Sequence, residues 1–121
     1  MKTIVVADDY PGVRQLVRDT LEPRGYQVFE AVNGIQALQL VQLEHPSLVI
    51  LDRRMPGLTG DQVCAELRTD PTTRTLPVVI MTADTGDDVQ GYMLAAGANA
   101  FFEKPFSPKE LLTAVRQLVG E

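Results

Sequence analysis

Several short apolar runs in this chain stop abruptly at polar residues. Ile4-Val5-Val6-Ala7 stops at Asp8-Asp9, Leu48-Val49-Ile50-Leu51 at Asp52, and Val78-Val79-Ile80-Met81 at Thr82. Asn99-Ala100-Phe101-Phe102-Glu103 runs into Lys104-Pro105-Phe106. Consecutive apolar residues without polar alternation suit strands covered on both faces, as in a parallel sheet. A carboxylate that closes such a strand is not core filling. It lies where an open α/β sheet forms a crevice at the carboxyl ends of its strands. Asp52 alone reads equally well as a cap for the turn after it. The complementary residues that end the other strands shift the weight toward a site.

The stretches between these runs read as helices. Pro11 suits a first helical turn after Asp9 or Tyr10, and Val13, Leu16, Val17 and Leu21 recur at helical spacing, with Arg14, Arg18 and Asp19 on other faces. Pro23 and Gly25 stop that helix. Residues 26–31 alternate as a short strand, and Asn33-Gly34 is a turn. Ile35, Ala37, Leu38, Leu40 and Val41 carry a second helix up to His45-Pro46, with His45 expected on the surface. A third helix is predicted over 61–68, with Val63, Cys64 and Leu67 inward. Val89, Tyr92, Met93 and Ala96 give a fourth, weakened by Gly91 and closed by Gly97. Ser107-Pro108 opens the last helix, whose core face is Leu111, Leu112, Val115 and Leu118. Strand and helix alternate throughout, the signature of an α/β doubly wound parallel sheet. A chain of 121 residues is expected to form one domain, 1–121, with a single core.

Composition excludes some functions. A formal net charge of −5 opposes non-specific binding to nucleic acid or anionic membrane, both of which need a basic surface. Cys64 is the single cysteine, so an intrachain disulfide and a zinc cluster are excluded and a core role is expected. Met1-Lys2-Thr3 leads straight into the first strand without a signal-peptide pattern, and no apolar run approaches the roughly 20 residues of a membrane span. A soluble, cytoplasmic protein is the expectation.

Right-handed crossovers place all the strand ends on one edge of the sheet. Asp8, Asp9, Asp52, Thr82 and Lys104 then meet in one crevice. Clustered carboxylates repel, and are expected to share a cation. An all-oxygen donor set completed by water suits Mg²⁺. A hydroxyl and an ammonium opposite complement an anion beside the metal. Together these groups describe a phosphoryl-transfer site, where positioning and charge neutralisation dominate. One carboxylate can be the nucleophile, since Asp forms aspartyl phosphates.

Val6-Ala7-Asp8-Asp9, Leu51-Asp52-x-x-Met55-Pro56-Gly57, Met81-Thr82-Ala83 and Lys104-Pro105-Phe106 occur in series. In this order and at these separations they resemble the receiver domain of two-component response regulators, chemotaxis regulators included, over essentially the whole chain. The resemblance implies a flavodoxin-like five-stranded sheet of order 2-1-3-4-5 with five helices. It makes Asp52 the phosphoacceptor, Asp9 the direct Mg²⁺ ligand, Asp8 a ligand through water, and the backbone carbonyl of Arg54 a further ligand. Thr82 and the amide of Ala83 would donate to phosphoryl oxygens, with Lys104 as countercharge. The implied reaction is Mg²⁺-dependent transfer from a phosphohistidine of a sensor histidine kinase or phosphotransfer protein to Asp52, then hydrolysis, with no enzymatic turnover of another substrate. Phosphorylation would reshape the surface of the fourth helix, fifth strand and fifth helix to control a downstream output protein.

Some positions depart from the family pattern. Phe101 stands where the family's switch residue is often Tyr. The last helix carries Ala114 and no dense basic pattern, so it does not clearly resemble the DNA-binding subfamily that dimerises through that face, and no direct nucleic-acid contact is expected. A stand-alone switch is the leading reading. A receiver cut from a longer regulator or hybrid kinase, a pseudo-receiver and a flavodoxin-like electron carrier compete with it. Met1 beside the first strand argues for a natural start, and nothing argues for a natural end. Further expectations are a cis Lys104-Pro105 bond, a gate of Arg54 facing Asp84, and a Thr82–Phe101 switch.

Overall fold

The computed structural model describes residues 2–83 and 87–121, with no side-chain description at 87–90. Among these residues the chain runs β1 (Thr3–Ala7), α1 (Pro11–Leu21), β2 (Gln27–Ala31), α2 (Gly34–Glu44), β3 (Leu48–Asp52) and α3 (Gly60–Thr69). It continues with β4 (Val78–Thr82), α4 (Asp87–Ala95), β5 (Ala100–Glu103) and α5 (Pro108–Val119). A 3-10 turn over Glu22–Arg24, which the sequence reading treats only as a helix stop, joins α1 to β2 through Gly25 at φ 94°.

All the strands pair in parallel in the order β2-β1-β3-β4-β5. This is the flavodoxin-like order expected for a receiver. Alternate residues of the central strands feed opposite faces. Val5, Val49, Leu51 and Ile80 pack with α2, α3 and α4 through Ala37, Val41, Val63, Leu67 and Met93. Ile4, Val6, Ile50, Val79 and Met81 pack with α1 and α5 through Val17, Leu21, Leu111 and Val115. Both β3 and β4 are buried along their whole length, which explains their unbroken apolar runs.

Helix ends follow the local chemistry. Asn33 accepts from the Gln36 amide, Thr59 and Gln62 form a reciprocal capping box, and Ser107 accepts from the Glu110 amide. Tyr10 precedes α1 without a side-chain cap, and Pro11 occupies the first turn. Two of the apolar residues that carry α2 and α4 face solvent: Ile35 is 56% exposed and Tyr92 is 62% exposed. Each belongs to a helix whose apolar residues surround it on several sides, so helical spacing selects no single face. Cys64 is buried, His45 is exposed, and burial pushes the Cys64 thiol upward. No helix among the described residues is long and apolar enough to cross a membrane.

Candidate functional site

The acidic crevice forms where β1 and β3 end side by side, Ala7 pairing with Leu51. The next residue of each strand path is a carboxylate. Asp8 is fully buried, Asp52 is 7% exposed and Asp9 is exposed. One carboxylate oxygen from each lies within 4.8 Å of the others. Lys104, just past β5, reaches across the sheet edge: its Nζ lies 2.7 Å from Asp8 Oδ2 and 3.0 Å from Asp52 Oδ1. The β4–β5 ladder carries it there, the Lys104 amide donating to the Thr82 carbonyl at 2.7 Å. The Lys104–Pro105 bond is cis, as expected.

The electrostatics follow from burial and like charge. Burial raises the Asp52 carboxyl above its ordinary value, Lys104 opposes that rise, and Asp8 and Asp9 add to it. Lys104 sits in the reverse balance. Burial alone would lower its ammonium, but the bonds from Asp8 and Asp52 win and raise it. The ammonium therefore stays charged at neutral pH. Thr82 is buried at the end of β4, and Ala83 is exposed beside it. Arg54 is exposed on the loop after β3. Asp84, its expected gating partner, lies outside the described residues. Phe101 is partly buried against the α4 side of the core and is aligned in β5 with Ile80 of β4.

An all-carboxylate donor set of this spacing fits a hard divalent cation that keeps part of its water shell. Asp8 is firmly held. Its Oδ1 accepts from the Tyr10 amide at 2.9 Å, and its backbone carbonyl accepts from Arg14 Nη1 at 2.7 Å. Arg14 Nε donates to Glu30 on β2 at 2.9 Å, and Glu30 also binds Arg18 at 2.8 Å. Helical spacing had put Arg14 and Arg18 on faces away from the core. Arg14 in fact reaches back to the Asp8 carbonyl, a contact that its helical spacing alone does not signal.

Gly60, at the first position of α3, is a second residue missed. A Cβ there would lie 2.4 Å from the Asp52 carbonyl oxygen, and the Gly60 amide donates to the Arg53 carbonyl at 2.8 Å. The loop after Asp52 folds back this tightly only without a side chain at residue 60.

Residues 4–116 match the sequence profile described as the response regulator receiver domain, and the chain belongs to that family. It is 42% identical over 120 residues to the "Probable transcriptional regulator ycf27" of Cyanophora paradoxa, covering 98% of this chain and 48% of that protein. It resembles the receiver domain of a signal transduction histidine kinase from Syntrophus aciditrophicus, with 30% identity, a TM-score of 0.92, and coverage of 99% and 91%. It also resembles the receiver domain of the Pseudomonas aeruginosa sensor histidine kinase PA1611, crystallised with a magnesium ion in its active-site cleft. That match has 27% identity, a TM-score of 0.90, and coverage of 99% and 98%. The chain spans about half the length of the curated relatives it matches. Their likeness corrects one expectation: the absence of a basic pattern in the last helix does not set this chain apart from transcriptional regulators.

Proposed function

We propose that Asp52 accepts a phosphoryl group from a phosphohistidine of a sensor histidine kinase or phosphotransfer protein, and that its phosphorylation controls a partner through the α4-β5-α5 surface. The carrying observation is the convergence of Asp8, Asp9 and Asp52 oxygens with the Lys104 ammonium at one sheet edge. In the transfer an Asp52 carboxylate oxygen attacks phosphorus, an O–P bond forms, and the P–N bond to the donor imidazole breaks. Asp9 and Asp8 would hold Mg²⁺, directly and through water, with Asp52 and the Arg54 carbonyl as further ligands. Bound Mg²⁺ supplies charge neutralisation for the transferring group. Lys104 shields the same charge from the other side and opposes the rise that burial imposes on the Asp52 carboxyl. The Thr82 hydroxyl and Ala83 amide are donors for the phosphoryl oxygens. Hydrolysis of the aspartyl phosphate resets the domain, at a rate that Arg54, exposed on the loop after β3, tunes.

The chain would act in the cytoplasm, where histidine kinases present their phosphohistidines. The relatives named as transcriptional regulators favour transcription as the output. The test uses a small phosphodonor, acetyl phosphate, with and without Mg²⁺, and reads phosphoprotein by mass. Mg²⁺-dependent addition of one phosphoryl group, lost in Asp52→Asn, is expected. Labelling that persists in Asp52→Asn, or that ignores Mg²⁺ removal, would overturn the assignment.

A further inference from the structure

Among the described residues, no hydrogen bond reaches the Asp9 carboxylate, although Asp9 is the residue the site most needs in place. Its position depends on the backbone of the β1–α1 turn. Asp8, one residue earlier, is held at every polar group: its amide donates to the Ala31 carbonyl at 3.1 Å, its carboxylate meets Tyr10 and Lys104, and its carbonyl meets Arg14. Of these ties, only Arg14 reaches the turn with a side chain from α1. The same guanidinium is anchored on Glu30 of the neighbouring strand β2. Its side chain is 14% exposed, so the fork is largely shielded from water. A planar guanidinium holds two acceptors at fixed separation, which a lysine cannot do.

We propose that Arg14 is a positioning residue. Bridging the Asp8 carbonyl and Glu30, it fixes the Asp8–Asp9 turn and thereby sets the affinity of the acidic crevice for a divalent cation. This rests on the function proposed above. Glu30 offsets the Arg14 charge, so the effect is one of geometry. Arg18 supplies an internal control: it binds Glu30 at 2.8 Å and Glu22 at 3.2 Å, in the same network, and touches neither aspartate.

The experiment titrates Mg²⁺ into the unphosphorylated protein by calorimetry and Mn²⁺ by electron paramagnetic resonance, with circular dichroism reporting the fold. Arg14→Met keeps the apolar stem and should weaken binding about tenfold, as loss of an outer-shell partner does at metal sites. Arg14→Lys keeps the charge and should remain weaker by at least about threefold. It carries the test if Arg14→Met does not fold. Arg18→Met should lose stability yet bind as the wild type does. Wild-type affinity in a folded Arg14 variant, full rescue by lysine, or equal weakening in Arg18→Met would overturn the proposal. Failure of the wild type itself to bind Mg²⁺ would instead overturn the function on which it rests.

Discussion

Glu30 shows how one side chain can be read in free-energy terms. Its carboxyl is held below the ordinary carboxylate range, by Arg18 first and Arg14 next, against a burial effect that works the other way. A depressed folded-state value means that the unfolded chain takes up the proton first as pH falls. The stabilisation is therefore present above the unfolded value, near 4.5, and is lost as pH drops through the lower folded value. Glu30→Gln should destabilise the domain at pH 7, and the difference from wild type should shrink below about pH 4. Urea unfolding at both pH values checks this. A difference that stays constant with pH would show that packing, not charge, makes Glu30 matter.

The join between β3 and α3 illustrates the same logic for whole elements. A helix that starts against the backbone of the preceding strand end leaves no volume for a Cβ at Gly60. Gly60→Ala should cost about 1–3 kcal/mol, as overpacking does in a filled site, and show as a lowered urea midpoint. An unchanged midpoint would mean that the loop relaxes freely. The sequence makes β3 plain, because an unbroken apolar run ending in Asp52 has few other uses, and the capping signal at Ser107 marks the start of the last helix well. It leaves Gly60 unreadable as a contact, since the approach arises only when β3 and α3 are both in place. The same holds for Arg14 and Glu30, which meet across sixteen residues of sequence separation. The exposure of Ile35 and Tyr92 was unreadable for a related reason: apolar residues on several sides of one helix name no face. The site legible in sequence was thus the set of chemically conspicuous strand ends, and the hidden part was what holds them.

Across the whole domain, the phosphoryl chemistry proposed at Asp52 would have to reach a surface on the far side of Thr82. Phosphorylation adds roughly −1.5 to −2 charge and three acceptor oxygens at the end of β3. Thr82 is buried at the end of β4, so for its hydroxyl to satisfy one of those oxygens it would have to turn within a closed space. That turn would vacate room toward β5, where Phe101 lies alongside Ile80. Burying a fully exposed phenyl ring would contribute about 1.5–3 kcal/mol. Phe101 is already largely buried, so the inward swing gains at most about a third of that, roughly 0.5–1 kcal/mol. The corresponding population shift is about two- to fivefold, well short of the roughly ten-thousandfold bias that carries a switch from fully off to fully on. A phenyl ring has no hydroxyl to leave unsatisfied when inward, so the inward state is expected to be populated even without phosphate. Beryllofluoride with Mg²⁺ should therefore move the Phe101 ring and α4-β5-α5 resonances along a line between two states, starting away from the inactive end. Phe101→Ala should shorten that displacement without preventing beryllofluoride binding at Asp52. Unchanged Phe101 resonances in the beryllofluoride-bound protein would place the switch elsewhere in the fold.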